Sequence, residues 1–157
     1  MLYVAATPDR QLAQLEAHLA QLDAELNELK PEHKKLCAEQ REARQAKQVA
    51  EKAADAARAH LKELQSQRAD EDSIKAANEA VAEATTLLNR RQAEHGEITK
   101  TTEHVGSSIS SIRESISTIL KTIHVIEANI SAKEAAAAKG ALLVLLLCLA
   151  TALPHGS

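Results

Sequence analysis

A chain of 157 residues with no Trp, no Phe and a single aromatic side chain, Tyr3, lacks the bulky groups that fill a compact globular core. Apolar residues make up 45% and charged ones 26%, while Gly and Pro number only 4 and 3, which is the composition of long helices. Acidic groups outnumber basic ones 22 to 19, and no Lys/Arg run is interleaved with aromatic residues, so charge argues against a nucleic-acid partner.

Residues 1–7 read as a short N-terminal segment. Met1 to Ala6 is too short for an export signal and turns at once into the polar Thr7-Pro8-Asp9-Arg10. Thr7 can cap free N–H groups, Pro8 fits the first helical position, and Asp9 complements the positive end of the helix.

A first coiled-coil helix is predicted over residues 8–69. Leu12, Leu15, Leu19, Leu22, Leu26 and Leu29 alternate spacings of three and four, which places them on one stripe; it continues through His33 and Leu36. The near-repeat LAQLEAH, LAQLDAE, LNELKPE shows the seven-residue unit directly. In the same frame the seam passes through Gln40, Ala43, Lys47, Ala50, Ala54 and Ala57 and recovers Leu61 and Leu64, so its middle is small or polar. Pro31 stands at an outward position, where the lost hydrogen bond predicts a kink near residue 31.

The frame is interrupted at Arg68–Ser73, and residues 70–73 are read as a bend. From Ile74 a second seam runs through Ala77, Val81, Ala84, Leu88, Arg91, His95, Ile98, Thr102 and Val105. It then enters the strongest periodic run of the chain: Ile109, Ile112, Ile116, Ile119, Ile123, Ile126 and Ile130. Ile, Ser and Thr favour strands, yet three-and-four spacing excludes strand alternation, so residues 74–138 are read as a second, Ile-rich helix. Gly96 and Gly106 predict local mobility within it.

The two segments are nearly equal in length, which favours a helical hairpin over one continuous rod. Folding about Glu71 would set Gln40 and Lys47 opposite Thr102 and His95, and the Leu run opposite the Ile run. The fold class is therefore all-α: long coiled-coil helices in a hairpin, ending in an apolar helix.

That apolar tail covers residues 139–153, with a polar end at 154–157 after Pro154. Its core, GALLVLLLCLATAL, includes Leu142, Leu143, Val144, Leu145, Leu146, Leu147 and Leu149. A bilayer core of ~30 Å takes about 20 helical residues, and Ala135 to Leu153 reaches that length if Lys139 extends its ammonium to the interface. The lone Lys139 on the N-terminal side suggests a tail anchor with the bulk of the chain on the cytoplasmic side. The competing reading makes the tail the dry core of an oligomer, with Leu142, Leu145, Leu146 and Leu153 packed among copies.

Motifs for chemistry are lacking. The sequence shows no Gly-rich phosphate loop and no nucleophile elbow, and its carboxylates read as ordinary helix surface. No two of the seven histidines stand three or four apart, no cysteine is paired with them, and Cys37 and Cys148 read as neither a disulfide nor a metal pair. His33 and His95 are read as tolerated polar layers of the seams. No enzyme, metal or cofactor is expected.

Ile at both seam positions disfavours two-stranded parallel coils, so self-association into three or more chains is expected through the Ile run, with Leu12–Leu29 as the seam within the chain or toward a partner. A heptad helix leading into a C-terminal apolar segment is similar in outline to membrane-fusion helical bundles, which would allow other helical proteins as partners. Thr102 stands where those bundles place a central Gln or Arg, and no family follows. The functional expectation is a membrane-anchored, homo-oligomeric structural or tethering protein. A fusion helix or pore component whose tails insert into a bilayer is one alternative; a soluble structural oligomer is the other.

Overall fold

A computed structural model describes residues 7–152, so the expectations for residues 1–6, for Leu153 and for 154–157 lie outside the described residues. The chain is all-α, with α1 spanning Pro8–Ser66 and α2 spanning Glu71–Ala152. No strand occurs among the described residues.

Leu26–Ser111 form one compact unit, which contains the turn between the helices and is a helical hairpin. The turn lies at Gln67–Asp70, about three residues before the expected bend. Arg68 adopts a left-handed conformation (φ 51°). The Ala69 N–H donates to the Leu64 carbonyl at 3.0 Å and the Arg68 N–H to the Gln65 carbonyl at 3.3 Å, which closes α1 with the paired bonds of a Schellman motif. Asp70 then caps α2: its carboxylate accepts from the Ser73 N–H at 3.2 Å and the Ser73 hydroxyl at 2.6 Å. Those hydrogen bonds, the side-chain one foremost, hold the Asp70 carboxyl below its ordinary range.

The earlier turn shifts the register. Gln40 was expected opposite Thr102, but its Nε2 donates to Thr99 Oγ1 at 3.1 Å, almost one turn away. Thr102 is buried without that partner because its hydroxyl donates to the Ile98 carbonyl of its own helix at 2.7 Å. The small middle of the α1 seam is the best-covered part of this unit: Ala50 is 3% and Ala54 0% exposed, with Ala77 of α2 also buried. Small side chains at these positions allow the backbones to approach, so Ala buries fully where Leu would not fit. Of the seam cations, Lys47 reaches Glu51 at 3.8 Å and Arg91 reaches Glu94 at 2.9 Å, each on its own helix and partly in solvent.

Pro31 lies within α1, which runs unbroken past it. Its side chain is exposed, while the seam residues on either side, Leu29 and His33, stay half-buried. Packing on the opposite face thus holds the helix where local propensity alone would end it.

The described residues 7–25 and 112–152 form the second unit. At its centre Leu22, Ile119 and Ile123 are buried, with Leu12, Leu15, Leu19, Ile112 and Ile116 packed around them. Thr7 caps α1 by accepting from the Arg10 N–H at 3.4 Å. Pro8 and Gln11 line a groove with Ile126, Asn129, Ile130 and Lys133, so α1 begins beside the last seam residues of α2. Beyond Ile130 every described residue of α2 is exposed.

Candidate functional site

The two seams lie together within one chain. Ile112, Ile116, Ile119 and Ile123 pack on Leu12, Leu15, Leu19 and Leu22, and the Ile face expected to bind other copies is covered to this extent by the chain's own Leu run. Ile126 and Ile130 are half-buried beside the start of α1. Leu26 and Ile109, both in the other unit, are buried, and Leu29 is half-buried. Among the described residues before the apolar stretch, Val49, Leu87, Leu120 and Val125 are the large apolar side chains that stay exposed outside the seams. Val49 and Leu87 are single exposures of the kind ordinary for a folded surface, whereas Leu120 and Val125 lie beside the Ile seam.

The C-terminal part of α2 differs in kind. Leu142, Leu143, Val144, Leu145, Leu146, Leu147 and Leu149 are each 54–65% exposed, with no face favoured. Removing a large aliphatic side chain from water gains about 1.5–3 kcal/mol, so this cluster left in water is a liability on the order of 10 kcal/mol. α2 is long and apolar enough here to cross a membrane, and none of the apolar stretch is buried in the fold. The only charge close to it is Lys139, at its N-terminal edge, where a long side chain reaches the interface at far less than the ~3 kcal/mol a central Lys costs. Thr151, the one hydroxyl inside the stretch, donates to the Leu147 and Cys148 carbonyls at 3.1 and 3.0 Å, and its polarity is satisfied within the helix.

One pairing was missed by reading histidines only against each other. His33 and Cys37 stand four apart on α1, and the Cys37 Sγ lies 3.8 Å from both ring nitrogens of His33. Their i, i+4 spacing was the available signal. The ring also abuts α2, where a Cβ added to Gly106 would stand 3.3 Å from His33 Nε2. Cys37 borders a groove with Gln40, Arg41, Arg44, His95 and Thr99, while Cys148 is exposed on the apolar stretch. Among the described residues, no three His, Cys, Asp or Glu side chains converge to hold a metal ion.

Comparison of the chain with known protein families, with curated proteins and with solved structures finds no match. Function therefore rests on the residues themselves.

Proposed function

We propose that this protein is a non-enzymatic coiled-coil tether or structural element held on a membrane by the apolar C-terminal part of α2. The observation that carries the reading is the contrast within one helix. Ile112 to Ile130 are covered by the chain itself, whereas Leu142 to Leu149 are exposed all round and have no partner side chain. An amphipathic helix awaiting a protein partner shows a stripe, while a helix that is apolar on every side suits surroundings that are apolar on every side. Lys139 favours an orientation with the coiled coil on the cytoplasmic side.

Self-association accompanies this reading, with Leu120 and Val125 beside the Ile seam as the contact between copies. Alkaline extraction of membranes from cells expressing the full chain tests the anchor. Retention in the membrane pellet is expected, and release into the soluble fraction would refute the anchor and favour a soluble oligomer built on the same side chains.

A further inference from the structure

Within the hairpin unit Leu26–Ser111, α1 and α2 border a polar groove of about 440 Å³. Cys37, Gln40, Arg41 and Arg44 share one side of α1, His95 and Thr99 face them from α2, and no carboxylate lines the groove. Every ion pair among the described residues joins groups three or four apart on one helix, so the neighbours at those spacings decide whether a cation is neutralised. Around Arg41 they are Cys37, Ala38, Arg44 and Gln45; around Arg44 they are Gln40, Arg41, Lys47 and Gln48. None is acidic, and neither arginine takes part in an ion pair, whereas the nearby Lys47, Arg91 and Lys100 are paired with Glu51, Glu94 and Glu97. Two like charges thus stand ~4.5 Å apart along the helix axis, at a repulsive spacing, in a chain whose net charge is −3. We propose that this groove is a binding site for a phosphate monoester, held as its dianion between Arg41 and Arg44.

The donor set selects that ligand over other anions. Gln40 donates one amide N–H to Thr99 Oγ1 at 3.1 Å, which leaves its second N–H and the Thr99 hydroxyl hydrogen to donate, and the His95 imidazole adds a further N–H. Two guanidiniums match a charge near −2, and their planar forks together with these three donors match the three terminal oxygens of a phosphate. A carboxylate brings one charge and two oxygens, and would leave one arginine unneutralised. A nucleic acid presents singly charged phosphodiesters in series, and the excess of acidic groups, 22 against 19, opposes such a polyanion. Soluble phosphomonoesters and lipids with a terminal phosphate carry the same group, and the site is independent of the membrane reading given above.

Cys37 supplies the assay, because it lines the groove. In the full chain carrying Cys148→Ala it is the only thiol, and its alkylation by uncharged N-ethylmaleimide is followed in neutral detergent micelles at fixed pH and ionic strength. Replacing chloride by inorganic phosphate is expected to slow the alkylation several-fold and saturably. Arg41→Gln with Arg44→Gln should abolish this protection while the helical circular dichroism stays unchanged, and Arg10→Gln with Arg90→Gln, which removes the same charge outside the groove, should retain it. Equal rates in phosphate and chloride, protection that survives the change at Arg41 and Arg44, or its loss in the Arg10 and Arg90 control would each overturn the site. Glycerol 3-phosphate in solution and phosphatidic acid in the micelle are then compared: protection by either places the phosphate monoester in the groove, and the stronger of the two identifies its carrier.

Discussion

Gly96 and Gly106 occupy the interior of the same helix, and the structure separates their fates on substitution. Replacing Gly by Ala within a helix gains up to about 1 kcal/mol, because the unfolded chain loses freedom and the helix gains a better former. A Cβ at Gly96 meets nothing within 4 Å, so Gly96→Ala is expected to deliver that gain in full, about 3 °C in melting temperature for a chain of this size. A Cβ at Gly106 meets His33 Nε2 at 3.3 Å and Cδ2 at 3.7 Å. The imidazole has to retreat by a few tenths of an ångström, and pushing it off its rotamer costs about 0.5–1.5 kcal/mol, enough to cancel the gain. Gly106→Ala alone is therefore expected to be neutral or slightly destabilising, and in a His33→Ala background it should recover the missing increment. The assay is urea unfolding followed by circular dichroism on the full chain in mild detergent, with the four variants of the His33/Gly106 cycle measured together. Equal stabilisation at the two glycines, or an unchanged effect of Gly106→Ala once His33 is removed, would refute the close approach of the two helices at this level.

Arg68→Gly should raise stability by about 1 kcal/mol, because the left-handed conformation at φ 51° strains any residue with a Cβ; a lower melting temperature would show that Arg68 contributes a contact that outweighs the strain. The Asp70 carboxyl is held below its ordinary value of 3.8, so its contribution is present above that value and is lost as pH falls through the lower folded one. Asp70→Asn keeps a capping oxygen without the titration, so acid melts of that variant should lose less stability than the parent between about pH 5 and pH 3, and parallel curves would contradict the assignment. Ala54→Leu forces a large side chain into a position that is 0% exposed and should cost about 1–3 kcal/mol, measurable in the same urea titrations, whereas an unchanged midpoint would mean that the helices part there freely.

Heptad spacing made the helices and their facing sides legible, since Leu22, Leu26, Ala50, Ala54, Val105, Ile109, Ile119 and Ile123 are all seam positions and all buried. It could not place the turn. A helix end is ordinarily announced by Gly at the left-handed position, and here Arg68 fills it, so the interrupted frame at Arg68–Ser73 located the turn only to within about three residues. That small misplacement propagated into the register, because moving a hairpin's centre slides each residue of one helix along the other; hence Gln40 meets Thr99 rather than Thr102. The apolar stretch was legible from composition, but its continuity with α2 was not, since Gly140 allows a break as readily as it allows a helix.

That continuity ties two surroundings together. α2 passes without interruption from the Ile run, where it is half of a packed pair, to the exposed Leu stretch. A straight helix fixes the rotational phase of everything along it, each residue turning the next by ~100°. The direction in which the Leu–Ile pair faces around the apolar stretch is thus set by the number of residues between Ile130 and Gly140. Adding one residue there would leave both parts chemically intact and swing one about the other by more than a quarter of a turn, so the short Ala-rich stretch 135–138 acts as a protractor as well as a spacer.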